Sequence, residues 1–245
     1  MKQELKGLAR RWLVRRGISA GFAPRVESLD RQLYQLLNAC DVNYVLDVGA
    51  NTGGYGTRLR RNVGYLGPLL SFEPEHVAYE RLQRTASGDR LWGTRQVALG
   101  DATGRADMHV YPGHEDFNSL HEPTSYGLKH FPLHETHVQT VDVRRLDDEC
   151  GRLPVDSRLL LKVDTQGHDM SVLRGAPETL AKTVALQLEA PLRHVYEGAA
   201  SLVDHLGFLH DANFVPIGLF VAARGPVGEI VELDLLARKL TDDRR

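Results

Sequence analysis

Tyr44-Val45-Leu46-Asp47-Val48-Gly49-Ala50-Asn51-Thr52-Gly53-Gly54-Tyr55 decides how this chain is read. A short apolar run that ends in turn formers predicts a parallel strand covered on both faces. Gly49 and Gly53 permit a tight bend and close approach of another group to the backbone. A helix starting just beyond aims unpaired N–H groups and a positive dipole end at whatever lies above the turn. A dinucleotide site requires glycine where Asn51 stands, because a pyrophosphate lies against the main chain there. An amide side chain suits a smaller, more polar ligand end, and Asp47 can oppose a positive charge on it.

Working outward, Leu69-Leu70-Ser71-Phe72-Glu73 is a second strand-like run, followed by Pro74, which can open a helix. Glu73 lies 20 residues after Gly53, where an acid at a strand tip accepts hydrogen bonds from ribose hydroxyls. Thr94–Leu99, Leu159–Asp164 and Thr183–Glu189 are further strands. Strands alternating with helical stretches predict an α/β fold, a doubly wound and mostly parallel sheet with helices on both faces. Residues 1–40 read as a helical extension, in which Leu29, Leu33, Leu36 and Leu37 form a buried stripe behind Ser28 as N-cap. Two segments depart from the alternation. No good crossover helix lies between Gly100 and Val143; a hairpin-like stretch, Arg105–Tyr111, leads into a His-, Pro- and Gly-containing loop. Phe214–Val221 and Glu229–Leu236 flank Arg224-Gly225-Pro226-Val227-Gly228 as an antiparallel edge hairpin.

The 245 residues suit one α/β domain, and a net charge of −2 argues against nucleic-acid binding. Arg10, Arg11, Arg15 and Arg16 form a local basic cluster, read as a solvated helix face. Cys40 and Cys150 stand far apart in no metal-type spacing, which fits a reduced, cytoplasmic setting. No apolar run approaches the roughly 18 residues of a spanning helix, so integral membrane association is not expected.

Leu46–Gly53, Ser71-Phe72-Glu73-Pro74, Leu160-Leu161-Lys162-Val163-Asp164-Thr165-Gln166-Gly167-His168-Asp169 and Val172-Leu173-Arg174-Gly175-Ala176 resemble the FkbM methyltransferase family. The likeness spans roughly residues 42–220. It implies a Rossmann-like class I fold, a seven-stranded sheet whose antiparallel hairpin closes one edge, and S-adenosylmethionine as donor. On this view 41–245 is the donor-binding domain, with 111–140 a substrate lid. Asp47, Gly49, Asn51, Gly53, Tyr55 and Glu73 would hold the donor, with Ala98 and Asp101 near its adenine. The family usually has Glu where this chain has Gln166, and commonly Glu where it has Asp169, so position 166 cannot ionise as a base or metal ligand here.

Methyl transfer to a hydroxyl is an in-line displacement, so the protein supplies alignment and a proton acceptor. Asp164 ends a core strand facing the expected methyl position, and His168 carries a neutral imidazole suited to base work. Lys162 points to the opposite face from Val163 and can neutralise a carboxylate. Asn118 and Ser119 in the lid, with Glu189 and Tyr196 past the next strand, are the expected acceptor contacts. The acceptor is expected to be a small-molecule hydroxyl of sugar, glycolipid or polyketide type. The His-rich lid matches no ligand spacing, so a divalent metal is not expected. A nicotinamide oxidoreductase and a non-catalytic donor-binding protein are the alternatives.

Overall fold

Tyr44–Val48 forms β1, buried from Val45 onward because both its faces are covered. The computed structural model describes residues 28–134, 136–151 and 153–240. The rest of the expected N-terminal extension, with its arginine cluster, lies outside the described residues. Leu29–Ala39 (α1) is a helix that Ser28 caps through its side chain, and Leu29, Leu33, Leu36 and Leu37 are its buried stripe, as the spacing predicts. They pack with Val45, Leu160, Ala185 and Leu236 on one side of the sheet. On the other side Leu46, Leu161, Leu186 and Leu235 pack with Val172, Leu173 and Leu209.

After β1 come Gly54–Arg58 (α2), β2 (Leu69–Phe72), His76–Ala86 (α3) and β3 (Trp92–Arg95). Pro74 does not open α3. Glu75 caps it instead, its carboxylate accepting from the N–H groups of Val77 and Ala78 at 2.9 and 2.6 Å. Further along the chain, β7 (Leu159–Val163), β8 (Thr183–Pro191), β9 (Phe214–Arg224) and β10 (Ile230–Lys239) complete a seven-stranded sheet in the order β3-β2-β1-β7-β8-β10-β9. The first five of these run parallel; β10 inserts antiparallel between β8 and β9. This is the class I Rossmann-like order with its antiparallel edge pair. The order reverses between β1 and β7, and an open parallel sheet leaves a crevice above its strand ends at such a point.

The expected strand Thr94–Leu99 is corrected. Arg95 is its last residue in the main sheet, where its carbonyl accepts from Glu73 N–H. Ala98–Leu99 (β4) turns away to pair parallel with Val143 and Arg144 of β6 (His137–Arg144), which also pairs antiparallel with β5 (Gly104–Val110). The three-stranded sheet β4-β6-β5 carries the lid, and its Ala98, Leu99 and Met108 line the same cavity as Val48 and Phe72, the last residues of β1 and β2. The antiparallel partner expected for Arg105–Tyr111 is thus β6, reached only after the whole lid.

Candidate functional site

Above the switch point lies a cavity of about 280 Å³. Its floor is the turn after β1, its near wall Phe72, Glu73 and Pro74 after β2, its far wall Asp164, Thr165, Gln166 and His168 after β7. Val97, Ala98, Leu99 and Met108 give an apolar side, and Glu115, Asp116, Asn118 and Leu120 close over it from the lid.

The turn has the geometry that its glycines foretell. Gly49 sits at φ +74° and Gly53 at φ +90°. A Cβ on Gly49 would fall on the carbonyl oxygen of Asp164, so β7 can approach β1 only because position 49 has no side chain. Asn51 also takes a left-handed conformation (φ +47°), one that asparagine tolerates. Its N–H donates to Glu73 Oε2 at 2.8 Å, and Glu75 N–H donates to Oε1 at 2.9 Å. Glu73 is 5% exposed. Burial pushes its carboxyl up to about 7 against those two hydrogen bonds.

Beneath the turn, Asp47 is sealed from solvent and accepts from Ser71 Oγ at 2.9 Å. Lys162, opposite it on β7, lies 3.2 Å from Asp47 and 3.4 Å from Asp164. Its ammonium also donates to the carbonyls of Val48 (3.3 Å) and Gly49 (2.8 Å). Burial alone would lower the pKa of this group; Asp164 and Asp47 overcome that and raise it.

At the far end Gln166, at φ +51°, donates through Nε2 to Asp164 Oδ1 (3.2 Å) and Glu189 Oε2 (2.8 Å). Burial, then the charge of Asp164, raises the Glu189 pKa well above the carboxylate range. Asp169 accepts from Thr165 N–H and Oγ1 at 2.9 and 2.7 Å and so fixes the turn between β7 and the short helix Asp169–Arg174. His168 Nδ1 lies 3.1 Å from His121 Nε2. Burial and the His121 charge lower His168 to about 4, which keeps its ring neutral at pH 7.

Of the residues singled out from sequence, Gly49, Asn51, Glu73, Ala98, Asn118, Asp164, His168 and Glu189 meet at this cavity. The others stand behind or beside it. Gly53 packs against Leu82 and Thr85; Tyr55 lies over Lys162 and donates to Gln187 Oε1 at 2.8 Å. Asp47 supports the turn from below. Asp101 is exposed and pairs with Arg174 at 3.3 Å. Ser119 Oγ donates to the Gln166 carbonyl at 2.7 Å, and Tyr196 OH to the Phe117 carbonyl at 2.7 Å, so both fasten the lid. Sequence reasoning missed Glu115 and Asp116 as cavity residues. Their place next to the Asn118-Ser119 segment was the available signal.

Residues 47–216 match the Methyltransferase FkbM domain. Over 214 residues the chain is 29% identical to the 2-O-methyltransferase NoeI of Sinorhizobium fredii, covering 85% of this chain and 84% of that protein. Over 183 residues it is 30% identical to Methyltransferase 1 of Beauveria bassiana, covering 69% and 73%. The structure of a methyltransferase FkbM from Methylobacillus flagellatus aligns with a TM-score of 0.50 at 17% identity, covering 80% of this chain but 44% of that one. An rRNA methylase from Streptococcus thermophilus aligns with a TM-score of 0.50 at 11% identity, covering 89% and 100%. These two structures share the fold. The chain belongs to the FkbM methyltransferase family, an assignment that selects an S-adenosylmethionine-dependent methyltransferase over a nicotinamide enzyme. Among the described residues no helix is long and apolar enough to cross a membrane, and no group of three or more His, Cys, Asp and Glu side chains could hold a metal ion.

Proposed function

We propose that this FkbM-family methyltransferase methylates a hydroxyl of a small molecule, a sugar of a glycolipid or glycosylated metabolite, and that Asp164 takes the hydroxyl proton. The observation that carries this reading is the Asn51–Glu73 hydrogen bond, which puts an acid beside a glycine turn at the mouth of β1. S-adenosylmethionine supplies, when bound, a methyl group already activated by the adjoining sulfonium.

The cavity's residues fit that group. Phe72, Val97, Leu99 and Met108 offer apolar faces to an adenine, and Glu73 stands where ribose hydroxyls would be met. Asn51 Oδ1 is buried with no hydrogen-bond partner, an acceptor that a polar ligand end would satisfy. Gly49 leaves the main chain bare beneath the ligand.

The acceptor would enter between Asp164, Glu189 and the lid. Lys162 makes direct charge contact with one oxygen of Asp164, and the Gln166 amide holds its other oxygen in place. The Asp164 carboxylate is fixed at both oxygens and faces the cavity, whereas His168 has Nδ1 engaged with His121 and, lowered to about 4, serves as a neutral hydrogen-bond partner. Glu189, its pKa raised by burial and then by the charge of Asp164, can donate to an acceptor oxygen when it holds its proton. Asn118 Nδ2, buried without a partner while its Oδ1 accepts from Tyr111 N–H, is a second such donor. A sugar hydroxyl next to a neighbouring oxygen suits this mixture of one base and two donors. The 2-O-methyltransferase likeness supports the same class of acceptor.

Titration calorimetry with S-adenosylhomocysteine, then mass spectrometry of alkyl glycosides incubated with enzyme and donor, tests the reading. Binding with a one-methyl mass gain that Asp164→Asn abolishes is the expected result. No heat at millimolar ligand would refute the donor site; full turnover by Asp164→Asn would refute the base.

A further inference from the structure

The short 3-10 turn Glu115–Phe117 carries the lid across the cavity mouth. It is fastened to both walls. Asn51 Nδ2 donates to Asp116 Oδ1 at 2.5 Å, and Arg81 on α3 lies 3.1 Å from Glu115. Tyr196 OH donates to the Phe117 carbonyl from the opposite side.

Asn51 therefore touches two acids at once. Its backbone N–H is bound to Glu73 and its side-chain N–H to Asp116, so the sheet carboxylate and the lid carboxylate flank one residue. Asn51 Oδ1, buried, has no partner. Among the described residues Asp116 Oδ2 accepts no hydrogen bond either, and Asp116 lines the cavity. Two carboxylates and an amide oxygen thus converge on one end of the cavity with hydrogen-bond acceptors to spare. An anionic ligand end is repelled there; one that brings O–H donors satisfies the acceptors.

Resting on the donor reading above, we propose that Asp116 is a donor-binding residue, accepting a hydrogen bond from a ribose hydroxyl of S-adenosylmethionine opposite Glu73. The lid is then part of the donor site as well as a cover for the acceptor. A donor seated between Glu73 and Asp116 adds a further tie between lid and sheet beside the Asn51–Asp116 bond. Closure over the acceptor is favoured once the donor is in place, because the ligand contributes contacts to both walls.

Calorimetry on the full chain separates this role from simple fastening of the lid. The ligands are S-adenosylhomocysteine and its 2′-deoxy and 3′-deoxy analogues; the proteins are wild type and Asp116→Ala. Asp116→Ala should bind S-adenosylhomocysteine about tenfold more weakly, as loss of one hydrogen bond to a charged group implies. Wild type should bind at least one deoxy analogue about tenfold more weakly than the parent, and the variant should lose most of that discrimination. A residue that only fastens the lid would weaken all three ligands equally, so unchanged discrimination in Asp116→Ala overturns the proposal. Failure of the wild type to bind S-adenosylhomocysteine would instead sink the donor reading beneath it. Should the alanine variant not fold, Asp116→Asn, which retains an acceptor for Asn51, replaces it in the same cycle with a smaller loss.

Discussion

Lys162 holds the anions of the site together. It is 5% exposed, and it faces one carboxylate that is wholly buried and one that opens on the cavity. That a lysine inside a strand answers a carboxylate is legible in the sequence, since a buried ammonium needs a partner. That it answers two, and also ties the carbonyls of Val48 and Gly49, depends on the Asp47–Lys162 register of β1 and β7, which no local pattern specifies. Removing one partner of such a pair strands the other as an unpaired buried charge, at a cost of about 3–5 kcal/mol. Lys162→Met should therefore lower unfolding stability by an amount in that range, measured by urea denaturation. Asp47→Asn added to it should recover part of the loss. Strictly additive losses in the double variant would mean that the two groups do not depend on each other. Gln166 was equally opaque as sequence. A departure from the family's usual Glu reads as a lost function, whereas its amide joins Asp164 and Glu189, two acids that would otherwise repel.

At the scale of elements, the turn from β1 to α2 was read from its glycines, and the positive φ values at 49 and 53 are the physical content of that reading. The boundary of the third strand was not readable. Val97, Ala98 and Leu99 are as apolar as a core strand and are buried, so hydrophobicity continues while the pairing partner changes from β2 to β6. The lid's anchoring strand β6 was likewise missed, because β5 and β6 are separated by the lid itself and no tight-turn signal joins them. Two neighbouring glycines test the account of the turn. Gly49→Ala meets both a left-handed backbone and the Asp164 carbonyl, and should cost more than about 2 kcal/mol and abolish S-adenosylhomocysteine binding. Gly54→Ala, at the start of α2 with open space around its Cβ, should be neutral or stabilise by about 0.4–1 kcal/mol and leave binding unchanged. Thermal melting and calorimetry on the pair decide the matter; equal tolerance at both positions would show that β7 does not depend on the bare backbone of residue 49.

Over the whole molecule, the acids gathered above the sheet make stability depend on pH in a particular direction. Burial raises Glu73 to about 7, and burial followed by Asp164, Asp169 and Asp234 raises Glu232 to about 7; burial and then Asp164 raise Glu189 as well. Each holds its proton in the folded chain at pH values where the unfolded chain has released it. Stability therefore falls as pH rises from about 4.5 through 7, by up to ~1.4 kcal/mol per pH unit for each such proton. The histidines act oppositely. His168, lowered to about 4, stays neutral in the folded chain while the unfolded chain protonates it below about 6.5, and burial lowers His121 in the same direction. Between pH 4.5 and 6.5 the histidines offset only part of the carboxyl effect, because Asp169 and Asp234 are raised by burial as well, and above 6.5 only the carboxylates remain. The melting temperature of the ligand-free chain should accordingly fall gently from pH 5 to 6.5 and more steeply from 6.5 through about 7. Glu73→Gln with Glu232→Gln should make that fall shallower near pH 7, since neither amide titrates. A melting temperature that climbs between pH 6.5 and 8 in the wild type would mean that these carboxyls are ionised in the folded state, and that Glu73, Glu189 and Glu232 are hydrated far more fully than their burial implies.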